Sequence, residues 1–139
     1  MKHKRIVQKQ TKAGNRKVIV DGMEFDSKKE FARWVELSAM QERGEISNLE
    51  RQKKYTLIPP QRGESVEVYK KGDKAGQPKP GPLIEREVAY IADFVYVKDG
   101  KTVVEDVKGF RDPSSAMYAK FVLKRKLMLW IHGIHVEEV

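Results

Sequence analysis

Cysteine is absent from all 139 residues. That removes disulfides, thiolate metal sites and cysteine nucleophiles together. A reducing compartment such as a bacterial cytoplasm fits this absence, so a cytoplasmic location is expected. Histidine is scarce: His3, His132 and His135 stand without a metal-ligand spacing around them. His132 and His135 therefore read as structural or surface residues. No run of 18 apolar residues occurs, so no membrane span is expected. The N-terminus is basic but has no apolar core, unlike a secretory signal.

Acid is missing from the first twenty residues. Lys2, Lys4, Arg5, Lys9, Lys12, Arg16 and Lys17 all lie there, with no Asp or Glu. The other 119 residues carry 21 basic and 20 acidic side chains, so most of the net +8 sits at one end. An arm of this kind, residues 1–16, reads as flexible and suited to a polyanion such as DNA or RNA. The plainer reading of the same arm is a solvated tail.

Residues 17–139 read as one domain. Lys17 to Val20, the turn Asp21-Gly22 and Met23 to Phe25 form an expected hairpin. Ser27 and Glu30 make a capping box for a helix ending near Glu42 and Gly44. Gly44 to Leu49 reads as a turn into a strand near Lys54 to Ile58. Residues 59–82 hold five of the six prolines and four glycines, and read as an exposed loop or long hairpin tip. Strands are expected at about 85–97 and 102–108 around Asp99-Gly100. A second helix, capped by Ser114, is expected to run to about Ile131, with a last strand from Ile134. The fold class is α/β in the broad sense (α+β), a central mixed sheet flanked by helices. Trp34, Met128 and Trp130 are expected in the core.

The chemistry is concentrated in Tyr90 to Tyr96 and Val103 to Gly109. Strand alternation puts Val104, Asp106 and Lys108 on one face, with Lys108 about 7 Å beyond Asp106. The turn at Asp99-Gly100 pairs position 93 with roughly position 106. Two carboxylates side by side repel unless something binds there. A divalent cation such as Mg2+ or Mn2+ would supply that reason, since it takes carboxylate oxygens, water and phosphate oxygen. Lys108 could then stabilise developing negative charge. The acid Glu30, near the start of the first helix, can complete the metal shell, although the capping box uses the same carboxylate. An ordinary cross-strand Asp pair is the bland alternative.

Six stretches carry a resemblance. They are Phe25 to Glu30, Gly44 to Leu49, Gln52 to Tyr55, Tyr90 to Phe94, Val104 to Gly109 and Phe121 to Leu127. Together they resemble the PD-(D/E)XK nuclease superfamily over about residues 18–139. They are closer still to a phage family known only as a domain of unknown function. The resemblance implies a restriction-endonuclease-like core, and a Mg-dependent endodeoxyribonuclease that hydrolyses phosphodiester bonds. It implies that Glu30 is the helix-borne acid, Asp93 the motif aspartate, and Asp106 and Lys108 the acid-x-lysine pair. Glu30, Asp93 and Asp106 would then be metal ligands, and Gln52 resembles a glutamine near related sites. Ala92 stands where the motif usually has proline. Glu105 lies beside Asp106, so strand register decides which acid faces the metal; alternation from Lys108 favours Asp106.

Small stand-alone members of that superfamily are similar to Holliday-junction resolvases, which act as homodimers. The resemblance thus implies selectivity for branched DNA in phage recombination or replication. A general or nicking nuclease is the alternative within the class, and a non-catalytic nucleic-acid-binding module is the alternative outside it. Lys120, Lys124 and Lys126 make the second helix basic, for DNA backbone contact or as a solvated face. The same helix carries more apolar residues than one face needs, so part of it either packs on a partner subunit or is buried within the monomer.

Overall fold

A computed structural model describes residues 16–109 and 111–139, and residues 6–10 as backbone. The chain is a mixed α+β domain. Its first sheet is antiparallel, in the order β1 (Ile6–Gln10), β2 (Arg16–Val20), β3 (Met23–Phe25). Asp21 and Gly22 both have positive φ, at 50° and 81°. A tight hairpin turn whose twist matches the strands requires this of both central residues.

The sheet that matters for the site is mixed. Its order is β4 (Ser47–Ile58), β7 (Val88–Lys98), β8 (Lys101–Asp106), β9 (Val136–Glu138). The first two pairings are antiparallel and β8 with β9 is parallel. Between β4 and β7 a small ribbon forms from β5 (Gln61–Arg62) and β6 (Leu83–Glu85), with one isolated bridge from Val68 to Pro78. The proline-rich segment is thus largely irregular, and extended only briefly.

Helix α1 (Lys28–Glu42) begins at Ser27, whose hydroxyl accepts from the Glu30 N–H. Helix α2 (Ala116–His132) begins at Ser115, and Gly133 closes it in the left-handed conformation. The expected cap, Ser114, is used differently. Its N–H and hydroxyl both donate to the Asp112 carboxylate, a local turn that competes with helix.

The two helices cover opposite faces of the mixed sheet. Phe121 and Met128 of α2 pack on Tyr90, Ala92, Val104 and Val136. Leu37 of α1 packs on Phe94 and Tyr96, with Trp34 stacked on Phe94. A third cluster, Val18, Val20 and Phe25, joins the first sheet to Phe31 and Trp34. Each fully buried aliphatic or aromatic side chain here contributes roughly 1.5–3 kcal/mol.

Three further expectations are corrected. Ile6–Gln10, read as part of a flexible arm, pair with β2 as a strand; the partner strand supplies order that its own polar sequence does not announce. Residues 1–5 and 11–15 lie outside the described residues. The turn expected to run through Leu49 is shorter, because β4 starts at Ser47. Trp130 is 87% exposed rather than core, since Phe121 and Met128 already fill the face of α2 that meets the sheet. Among the described residues no helix is long and apolar enough to cross a membrane.

Candidate active site

The hairpin β7–β8 turns at Asp99 and Gly100, both with positive φ, and runs from Lys98↔Lys101 to Phe94↔Glu105. Continuing that register brings Asp93 beside Asp106, as the sequence suggested. At this end the ladder opens. The Val107 N–H donates to Asp93 Oδ2 at 2.8 Å.

On the other side of β7 a second irregularity meets the first. The β4–β7 ladder keeps one register from Arg51↔Phe94 to Lys53↔Ala92, but Gln52 and Asp93 between them are not a paired rung. Gln52 has φ of 52°, a left-handed conformation that costs a non-glycine residue about 1 kcal/mol. The strands also exchange faces there. Ala92 packs towards α2, yet Phe94, two residues on, packs towards α1. Tyr55 and Leu49 divide in the same way on β4. Simple alternation fails at this rung, and Asp93 sits at the break.

Glu30 arrives from the first turn of α1. Its Oε2 accepts from the Asp26 N–H at 3.2 Å and its Oε1 from the Gln52 amide at 3.2 Å. The same Gln52 nitrogen lies 3.4 Å from Asp93 Oδ1. Gln52 therefore links the helix acid to the strand acid. Burial pushes the Glu30 carboxyl up to about 7, with Asp93 and Asp26 adding repulsion. Burial also pushes Asp93 up to about 6, with Asp106 adding repulsion against the help of the Val107 N–H and Lys108.

Asp106 is buried, and both its oxygens are engaged. Tyr90 donates its hydroxyl to Oδ2 at 2.8 Å, and Lys108 Nζ lies 2.7 Å from Oδ1. The Lys108 ammonium also lies 3.6 Å from the centre of the Phe121 ring. Its backbone is pinned on both sides, with its N–H donating to the Val139 carbonyl and its own carbonyl accepting from Lys29 Nζ at 2.6 Å. Glu105 faces away. Arg33 clasps it with two nitrogens at 2.9 and 2.5 Å, and the Tyr96 hydroxyl donates to it at 2.6 Å. The register question is answered: Asp106 shares the site with Lys108, and Glu105 belongs to the α1 side.

Glu30, Gln52, Asp93, Asp106 and Lys108 thus gather where β8 ends against the middle of β7 and β4. Among the described residues no three acidic or histidine side chains form a ready-made cation cage. The donor set still fits magnesium, which is usually held by one or two carboxylates and keeps water and phosphate as its other ligands. Asp93 and Asp106 would be the oxygen donors, and Glu30 stands behind Gln52.

Of the basic residues expected to meet DNA, Lys2, Lys4, Arg5 and Lys12 lie outside the described residues, and Lys9 is placed only as backbone in β1. Arg16 is exposed at the start of β2. Lys120 and Lys124 line a groove beside the site with Tyr90 and Phe121, whereas Lys126 is exposed and not among its walls. Tyr90 was missed by sequence reasoning. A signal existed, because a buried tyrosine hydroxyl seeks a polar partner. His132 bonds the Thr56 carbonyl and packs on Tyr55, the structural role its isolation suggested.

No curated protein and no solved structure matches the chain. The family model described as Protein of unknown function (DUF1064) matches residues 10–132, and the chain belongs to that family.

Proposed function

We propose that the protein is a metal-dependent DNA endonuclease of the PD-(D/E)XK type. The observation that carries this reading is the meeting of Asp93 and Asp106 where the strand pairing stops, with Lys108 on Asp106 and Glu30 tied to Asp93 through Gln52. An ordinary cross-strand pair would need neither the strained Gln52 nor two partly desolvated acids side by side. Magnesium held by Asp93 and Asp106 would polarise the scissile phosphate and lower the pKa of bound water. The rest is done by the chain itself. Tyr90 and the Val107 N–H fix the two carboxylates, one oxygen each. Lys108 offers its remaining protons to a phosphoryl oxygen, where negative charge grows in the transition state. Gln52 and Asp26 orient Glu30, whose raised pKa lets it take or give a proton near neutral pH.

The natural substrate on this reading is branched DNA, cut in phage recombination or replication inside the host cytoplasm, and the active species is a homodimer. A single domain of this size has little surface for reading a long base sequence, so backbone shape is the simpler cue. The exposed Trp130 and Leu123 on α2 supply apolar surface for a partner subunit. Sedimentation of the wild type and Trp130→Ala at micromolar concentration tests the dimer. The activity is tested with magnesium and matched linear duplex, single-stranded, flap and four-way-junction DNAs. Cleavage of the junction or flap ahead of linear duplex is expected. Equal cleavage of all four would leave a general nuclease, and none would leave a binding module.

A further inference from the structure

An open groove of about 350 Å³ lies between α2 and β7. Its floor is made by the buried rings of Tyr90 and Phe121, and its flanks by Ile91 and Met117, which are 53% and 83% exposed. Lys120 and Lys124 stand on its rim, one helical turn apart. The floor is shared with the carboxylate cluster, because Tyr90 donates to Asp106 and Phe121 lies against the Lys108 ammonium. Tyr90 and Phe121 thus stand between the groove and the candidate active site, touching both.

Neither rim lysine forms an ion pair among the described residues. Burial, and then the charge of Lys120, hold the Lys124 ammonium below its ordinary pKa. A bound anion would oppose the second effect directly. Apolar side chains left open to water beside two uncompensated cations suit a ligand with a flat apolar part joined to an anionic part. Clefts that hold small ligands begin at about 300 Å³, so the space admits one such unit.

We propose that this groove seats one unpaired nucleotide of a DNA strand, with its phosphate on Lys120 and Lys124 and its base against Ile91 and Met117. The proposal rests on the nuclease reading for what occupies the neighbouring carboxylate cluster. A base within duplex is stacked on both sides and has no face to offer a protein, whereas an unpaired base does. The groove thereby selects strand ends, flaps or branch points next to the reacting phosphodiester. It supplies a physical basis for structure selectivity that involves no reading of base sequence.

The test is fluorescence anisotropy of the full chain in magnesium-free buffer with three probes. They are a short oligothymidylate, an abasic strand of the same length and charge, and a matched hairpin duplex. The wild type is expected to bind oligothymidylate about tenfold more tightly than the abasic strand. Lys120→Gln/Lys124→Gln keeps most of each stem and should weaken both single strands about tenfold, flattening the salt slope by about 1.4, or roughly 0.7 per lost phosphate contact. Ile91→Ala/Met117→Ala should weaken oligothymidylate about fivefold and leave the abasic strand unchanged. Circular dichroism melts check that both variants fold. Equal wild-type affinity for the thymidylate and abasic strands overturns base seating. Unchanged affinity for oligothymidylate in either double variant overturns the groove as the site. Magnesium and a flap substrate are then added. A wild type that binds as expected yet never cleaves upholds the groove and sinks the nuclease reading, whereas a wild type that cleaves while both variants bind normally sinks the groove alone.

Discussion

Gln52 faces Asp93 across the β4–β7 ladder at a rung where neither residue keeps its strand pairing, and its amide nitrogen lies 3.2 Å from Glu30 and 3.4 Å from Asp93. The strained backbone of Gln52 is what turns its side chain between the two acids. Gln52→Gly should remove the strain, worth about 1 kcal/mol, and remove the link as well. The protein should melt at the same temperature or higher, while cleavage falls by about tenfold. A loss of stability with unchanged cleavage would show that the amide serves the fold instead.

The raised acids give a pH dependence with a definite sign. Glu30 is held up to about 7 and Asp93 up to about 6, both above their ordinary values. The folded protein therefore keeps protons that the unfolded chain has lost, so stability should fall as pH rises from about 4 to about 7. The combined effect is of order 5 kcal/mol. Magnesium should flatten this slope by favouring the charged carboxylates. Melting curves across that range, with and without magnesium, check it; a metal-free protein that grows more stable towards pH 7 contradicts it.

Lys108 is held on Asp106 and against Phe121, poised over the site. Lys108→Ala should lower kcat by about a hundredfold while DNA affinity changes less than threefold, because its charge acts on the transition state. An equal loss in both would make it a plain phosphate contact.

Much of the site was legible in the sequence because it depends on local patterns. Asp99-Gly100 sets the hairpin register, and alternation along β8 separates Asp106 from Glu105. Ser27 and Glu30 mark the start of α1. What escaped was set by tertiary pairing. The exchange of faces at Gln52 and Asp93 breaks the alternation that the reading relies on, and it takes two strands to produce. Tyr90 meets Asp106 only across the hairpin. Ile6–Gln10 gain order from β2, and Trp130 is exposed because other residues of α2 already fill the core.

The N-terminal strand changes how the basic segment should be tested. Removing residues 1–16 would take away β1 and leave β2 as an open edge. Removing residues 1–5 spares β1 and deletes Lys2, Lys4 and Arg5. If these meet phosphates, the salt slope for duplex should flatten by about 0.9 per lost contact. An unchanged slope would make them a solvated tail.

The central claim is that Asp93 and Asp106 together hold the metal for phosphodiester cleavage. The most direct measurement compares magnesium-dependent cleavage of a four-way junction by the wild type and Asp93→Asn, with metal-free melting curves of both. The wild type should cleave, and the variant should lose at least about a hundredfold in rate while its stability holds or rises, because repulsion with Asp106 is relieved. Cleavage by Asp93→Asn at the wild-type rate, or a wild type that leaves the junction, flap, single strand and duplex all intact, would contradict the account.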